Sequence, residues 1–262
     1  MSRISDFFTT RGKGRKTLIA YLTVGYPSIE ATLEVVPALV EGGCDMIELG
    51  IPFSDPLADG TTIQRASHQA LEQGVTPKLC LEVAHKLRQR VDAPLVFMSY
   101  YNPLLHYGLG AFCAASKAAG VDGLIVPDLP PEEGVELEEL TERHDLDLIY
   151  LIAPTTTQER LRLVAARSRG FIYVVSLRGV TGAREALPTD LEDFIIRVRG
   201  ITSQPLCVGF GIATPEQARR VATLADGVIV GSRIVEIMES SEQPAAAAGA
   251  FIQQIRDALI DL

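Results

Sequence analysis

A carboxylate interrupts an apolar run at Asp45-Met46-Ile47-Glu48-Leu49-Gly50, and two further acids, Asp55 and Asp59, follow within a short loop. An acid near the end of a buried run is desolvated, which raises its proton affinity toward neutrality. Glu48 is therefore suited to give a proton and later take one back. The plainer reading is a structural glutamate that pairs with a cation or faces a covering helix. Pro52 and Pro56 stiffen the loop, so it can hold Asp55 or Asp59 over the same place. Asp59-Gly60-Thr61 reads equally well as a turn and a helix N-cap.

Three glycine turns follow other apolar runs: Gly179-Val180-Thr181-Gly182, Gly209-Phe210-Gly211-Ile212 and Gly231-Ser232-Arg233. Glycine lets backbone N–H groups approach phosphate oxygens, and a helix starting near Ser232 adds a favourable dipole. Each turn alone is also explained by the conformational needs of a tight connection, but three in succession point to a phosphate site. Lys13, Lys16, Lys78, Lys86 and Lys117 all fall outside the apolar runs and their ends, which disfavours Schiff-base chemistry. His68, His85, His106 and His144 are scattered without metal-ligand spacing, so no metal is expected. A Gly-Lys-Ser/Thr phosphate loop and a dinucleotide fingerprint are absent.

The carboxylates and the glycine turns lie at the ends of short Val-, Ile- and Leu-rich runs, and those runs predict strands over 17–25, 45–50, 94–100, 123–128, 147–153, 171–177, 205–211 and 227–232. Amphipathic segments between them predict helices that include 29–41, 62–73, 131–143, 157–167, 190–199, 215–224 and 245–262. Continuous rather than alternating apolar runs belong to parallel strands covered on both faces. Repeated βα units without a linker or composition break predict one α/β domain over 1–262, a single (β/α)8 TIM barrel of parallel strands. An open doubly wound sheet is the alternative. In a barrel, the C-terminal strand ends and the loops after them carry the chemistry.

The 262 residues, 47% hydrophobic, suffice for one core, and a formal net charge of -9 argues against a nucleic-acid backbone as main partner. Cys44, Cys80, Cys113 and Cys207 are far apart and read as buried, reduced and structural. No stretch has the roughly 20 uncharged apolar residues that span a bilayer, so no membrane association and a cytoplasmic location are expected.

Taken together, the run Glu-Leu-Gly-Ile-Pro-Phe-Ser-Asp-Pro-Leu-Ala-Asp-Gly at 48–60, the three glycine turns and Ala-Tyr-Leu-Thr-Val-Gly-Tyr-Pro at 20–27 resemble the tryptophan synthase alpha subunit family. The likeness extends over nearly the whole chain. It implies a β/α-barrel that cleaves indole-3-glycerol phosphate to indole and glyceraldehyde 3-phosphate in tryptophan biosynthesis. By that resemblance Glu48 is the acid-base and Asp59 holds the indole N–H. Gly182, Gly211, Gly231 and Ser232 bind phosphate, and Tyr173 and Thr181 complete the site. Tyr21 and Tyr100 fall where the family lines its indole pocket, or pack in the barrel interior. Protonation at indole C3 creates the electron sink for retro-aldol cleavage, so this chain needs neither a lysine nor a cofactor of its own.

The resemblance also implies a beta subunit carrying pyridoxal phosphate, in an alpha2beta2 heterotetramer, contacted through the loop of Pro52 and Asp55, the segment around Asn102 and Pro103, and residues 128–131. Leu177 and Arg178 depart from the family pattern, and Arg178 and Arg184 near the mouth either assist phosphate binding or, the preferred reading, face solvent. The alternatives are a free-standing indole-3-glycerol phosphate lyase, a non-catalytic phosphate-ligand sensor, and another sugar-phosphate barrel of histidine or tryptophan biosynthesis. The last of these would share the phosphate turns but not the 48–60 motif.

Overall fold

Side chains alternate along each strand between two apolar layers. In β1 (Thr17–Thr23), Leu18, Ala20 and Leu22 pack outward with Val35, Val36 and Leu39, whereas Ile19 and Tyr21 join an inner cluster with Met46, Val96, Ile125, Ile149, Cys207 and Ile229. Such a two-sided arrangement requires a sheet curled on itself with helices outside it. A computed structural model describes residues 2–11, 14–175, 189–209, 211–260 and 262.

Among them the further strand segments are β2 (Met46–Gly50), β3 (Leu95–Met98), β4 (Gly123–Ile125), β5 (Asp147–Ile149), β6 (Leu151–Ile152), β7 (Ile172–Val175), β8 (Leu206–Gly209) and β9 (Gly227–Val230). All recorded pairs are parallel, in the order β5-β4-β3-β2-β1-β9-β8-β7-β6. The two ends of that order are separated in sequence by Tyr150 alone, so they meet in one strand and complete the barrel. At the break, the Tyr150 N–H donates to Ser168 Oγ at 3.1 Å, and the Tyr150 carbonyl accepts the Tyr173 N–H at 3.0 Å. The predicted strand 147–153 is thus two segments because a serine hydroxyl replaces one ladder partner.

The helices are α1 (Arg3–Asp6), α2 (Ile29–Glu41), α3 (Thr61–Glu72), α4 (Pro77–Arg88), α5 (Tyr101–Tyr107), α6 (Leu109–Ala118), α7 (Val135–Arg143), α8 (Gln158–Arg167), α9 (Thr189–Arg199), α10 (Pro215–Ala222), α11 (Ser232–Ser240) and α12 (Pro244–Ala258). Ser28, Thr76, Thr157 and Thr214 cap α2, α4, α8 and α10 by accepting N–H groups of the first turn, with Pro77 and Pro215 at the helix starts. Helices α4, α5 and α6 lie outside the predicted set. Thr76-Pro77 was a legible start signal for α4, but α6 is rich in Ala and has little polar contrast between its faces. The predicted helix 131–143 divides into a short 3-10 turn, Pro131–Glu133, and α7.

The N-terminal face is held by aspartates at strand starts. Asp45 accepts the Leu18 N–H at 2.9 Å, Asp122 that of Leu95 at 2.9 Å, and Asp226 that of Leu206 at 2.7 Å. Each also meets an arginine: Arg256 at Asp45, Arg3 at Asp122 and Arg199 at Asp226. Ile4 of α1 is fully buried in the inner cluster, and Phe8 packs on Phe171 with centroids 6.1 Å apart. The amino-terminal segment therefore closes this mouth and leaves the opposite one for a ligand.

Candidate active site

In β2, Met46 belongs to the inner cluster, whereas Ile47 and Leu49 belong to the outer layer, so strand alternation places Glu48 inside the barrel. That excludes the helix-facing alternative. Glu48 pairs in register with Tyr21 of β1 and Val96 of β3 and is 1% exposed. Both carboxyl oxygens are buried without a hydrogen-bond partner among the described residues. Burial, reinforced by the negative charge of Asp59, pushes the Glu48 carboxyl up to about 8. At neutral pH it is mostly protonated, which avoids an uncompensated buried charge.

The loop after β2 resolves the choice between two acids. Asp55 is exposed, with Ser54 Oγ donating to it at 2.5 Å, whereas Asp59 is largely buried and acts on Glu48. The N-cap of α3 is Gly60, without a side-chain cap bond, so Asp59 is not the helix cap. Burial raises Asp59 to about 6, against a lowering by hydrogen bonding from Tyr100. Ser67, buried on α3, accepts the Phe53 N–H at 2.8 Å and donates to the Phe53 carbonyl at 3.1 Å, tying the loop to the helix. Ser67 was not singled out from the sequence, though it recurs at helical spacing with Ile63, Ala66 and Ala70 on a buried face.

Two tyrosines lie across the strand-end glycines. A Cβ on Gly50 would fall 2.3 Å from Tyr21 Oη, and one on Gly209 would fall 2.3 Å from Tyr173 Oη. Gly209 thus makes room for a ring, a role distinct from cradling phosphate. Tyr21 Oη also lies 3.2 Å from Thr23 Oγ1, a contact with no separate sequence signal. Burial raises both phenols well above their usual range, and both feel Glu48 and Asp59. Tyr21, Tyr100 and Tyr173 therefore converge with the two carboxyls at the C-terminal mouth.

Beyond β8, Gly211 is exposed with φ +82° in the left-handed region that glycine favours. Gly231 is the N-cap of α11 and Ser232 its first residue, as expected. Ile234 and Val235 donate back to the Gly231 carbonyl, which leaves the preceding N–H groups of Ser232 and Arg233 without intrahelical acceptors. Arg233 pairs with Glu236 at 3.2 Å on the exposed side. Thr181 and Gly182, and the departures at Leu177 and Arg178 with Arg184, lie outside the described residues.

Among the described residues no group of three His, Cys, Asp or Glu is arranged to hold a metal, and the four cysteines are buried and free. Lys16 precedes β1, Lys78 and Lys86 lie on α4, and Lys117 lies on α6, so none of these described lysines is on a strand.

A parallel barrel whose C-terminal mouth holds a buried, protonated glutamate beside an aspartate defines the class of β/α-barrel proteins with a carboxylate site at the strand ends. A family model described as tryptophan synthase alpha chain matches residues 7–259. The tryptophan synthase alpha chain of Dehalococcoides mccartyi is 56% identical over 259 residues, covering 99% of this chain and 100% of that one. The Chloroflexus aurantiacus alpha chain is 52% identical over 263 residues, with 99% of each chain covered. Among solved structures, tryptophan synthase subunit alpha of Legionella pneumophila superposes with TM-score 0.92 at 37% identity over 100% of both chains. A Mycobacterium tuberculosis tryptophan synthase structure gives 0.91 at 39% identity over 98% of each. The chain belongs to the tryptophan synthase alpha chain family.

Proposed function

We propose that this chain cleaves indole-3-glycerol phosphate to indole and D-glyceraldehyde 3-phosphate in tryptophan biosynthesis. The observation that carries the reading is Glu48: a carboxyl inside the barrel, both oxygens without a partner, protonated near neutral pH. Glu48 delivers its proton to indole C3. The bond from C3 to the glycerol carbon then breaks, its electron pair restores the ring, and the adjoining hydroxyl becomes the aldehyde as its proton passes to the Glu48 carboxylate. Ionised Asp59 faces the indole N–H and stabilises the positive charge that develops at the nitrogen. Tyr21, Tyr100 and Tyr173 enclose the ring, with Thr181 completing the site. Gly182, Gly211, Gly231 and Ser232 receive the phosphate, the last two at the α11 start.

The chain is one domain that works in the cytoplasm, requires no cofactor of its own, and joins a tryptophan synthase beta subunit as an alpha2beta2 heterotetramer. The partner would hold pyridoxal phosphate. Exposed Leu57, Leu105 and Val135, from the segments after β2, β3 and β4, supply apolar surface for that contact. Among the described residues no helix is long and apolar enough to cross a membrane.

The test is indole release from indole-3-glycerol phosphate, with and without a beta subunit, for the wild type beside Glu48→Gln and Asp59→Asn. Both variants are expected to fold and to lose most activity. Full activity in Glu48→Gln removes that residue from the mechanism, and fast turnover unaffected by a beta subunit favours the free-standing lyase.

A further inference from the structure

Three successive peptide groups of the loop after β2 are pinned, each from a different place. The Ala58 N–H donates to Tyr100 Oη at 2.9 Å, the Asp59 N–H donates to the Pro56 carbonyl at 3.0 Å, and the Asp59 carbonyl accepts from Gln64 Nε2 at 2.9 Å. Peptide groups are planar, so holding the planes on both sides of a residue fixes its φ and ψ and with them the direction of its Cα–Cβ bond. Asp59 is the residue held in this way. Its charge reaches Glu48, whereas Asp55, earlier in the same loop, is exposed.

The hold on the Asp59 carbonyl comes from the helix that the loop leads into. Gln64 lies in the first turn of α3, where its own N–H donates to the Gly60 carbonyl at 3.0 Å. Gly60, the N-cap, has no side chain to offer. A glutamine that reaches back over a helix start ordinarily accepts a free N–H. Gln64 does the opposite: its Nε2 also lies 3.5 Å from the Pro56 carbonyl, so its NH2 group stands between the first and last carbonyls of the turn 56–59. Two carbonyl oxygens can be met only by a donor, which decides the end of the amide that faces them. One turn further along α3, Ser67 holds Phe53 at the start of the loop by both its N–H and its carbonyl. The helix therefore grips the loop at both ends.

We infer that Gln64 is a positioning residue: its amide, donated to the Asp59 carbonyl, fixes the backbone from which the Asp59 carboxyl is aimed into the barrel mouth. The inference rests on the role proposed above for Asp59. Gln64 is exposed on α3 and acts only through that residue. A carboxylate that stabilises charge developing at the ring nitrogen works at close range and in one direction, so a loosened Asp59 slows the bound substrate more than it weakens binding.

The experiment measures kcat and KM for indole-3-glycerol phosphate in the wild type, Gln64→Met and Gln64→Glu, with melting temperatures alongside. Methionine keeps the reach and helix preference of glutamine without the amide. Glutamate keeps the shape but can only accept, so it has no proton to give either carbonyl. In both variants kcat is expected to fall about 5- to 30-fold, the scale of losing one or two hydrogen bonds, while KM stays within about three-fold. The melting temperature is expected to hold, because the position is exposed and an acid in the first turn of a helix is favourable. In the Asp59→Asn background the same changes should cost little further, since the group they aim is gone.

An unchanged kcat, a loss confined to KM, or a loss that persists in full beside Asp59→Asn overturns the inference. A readout without turnover comes from labelling Asp carbonyls with carbon-13 and Gly amides with nitrogen-15, which selects the pairs Asp59-Gly60, Asp122-Gly123 and Asp226-Gly227. The Asp59-Gly60 signal is expected to move in Gln64→Met while the other two stay. If it does not move, Gln64 does not hold that carbonyl, and the inference falls even where indole is formed. If it moves in a protein that releases no indole, the hold on Asp59 stands and the proposed substrate is what fails.

Discussion

Asp45 and Glu48 lie at opposite ends of one short run, and the structure treats them in opposite ways. Asp45, at the N-terminal face, accepts the Leu18 N–H and pairs with both Arg256 and Arg15. Glu48, at the other mouth, has no hydrogen-bond partner for either oxygen among the described residues. Arg256 is committed to this arrangement, since it also donates to the Gly43 carbonyl at 3.0 Å and the Lys16 carbonyl at 2.9 Å. Both acids are nearly excluded from water, so burial alone cannot explain the difference. Among the described residues, arginines pair with the strand-start aspartates of the N-terminal face, whereas Glu48 at the other mouth has no such partner.

The sharpest way to test that contrast is to exchange the consequences of mutation. Glu48→Gln should lower kcat/KM for indole-3-glycerol phosphate by about 10²–10⁴-fold, the usual scale for losing a general acid-base, while its melting temperature holds or rises. Asp45→Asn should do the reverse, lowering the melting temperature with turnover of the folded protein changed only a few-fold. A Glu48→Gln protein that is both active and unstable would erase the distinction between the two faces.

Breaking the paired face outright should cost nearly as much in stability. Arg256→Met leaves Asp45 buried with only Arg15 and one N–H, and a loss of about 3–5 kcal/mol is expected from chemical denaturation. Removing both partners in Arg256→Met with Asp45→Leu should recover part of that loss, because no buried charge is left uncompensated. If the double variant is as unstable as the single one, packing rather than charge pairing holds this corner.

The unpaired face should betray itself in the pH dependence of stability. The folded protein holds a proton on Glu48 up to about 8, whereas an ordinary glutamate releases it near 4.5. The contribution is therefore fully present below pH 4.5 and is lost as pH rises toward 8. Asp59 acts in the same direction between 3.8 and about 6. Thermal melts across pH 5 to 8 should show a smaller decline in Glu48→Gln than in the wild type, and equal slopes would place the charge of Glu48 in water.

A smaller effect is expected where the backbone makes room for the site. In Gly50→Ala the new Cβ would sit 2.3 Å from Tyr21 Oη, so the ring must move. The expected cost is about 1–3 kcal/mol, typical of overpacking, and Gly50→Ala with Tyr21→Leu should restore much of it. Alanine tolerated at Gly50 with Tyr21 intact would show that the ring is free to lie elsewhere.

Much of this arrangement was legible along the chain. The eight βα units, the Glu48 strand and the helix start at Ser232 all follow from local periodicity and turn chemistry, which act over a few residues and so appear in the order of residues alone. The acids and prolines of the 48–60 run pointed to a carboxylate site for the same reason. What local order could not decide were questions of facing and distance. Asp55 and Asp59 are equivalent until the loop is folded against Ser67 and Tyr100. Arg256 is far from Asp45 in sequence and reaches it only because α12 packs on α2. Glu48 could point inward or outward until the sheet closed. Electrostatic environments depend on which groups meet across the fold and how much water they exclude, and the tertiary structure alone sets both.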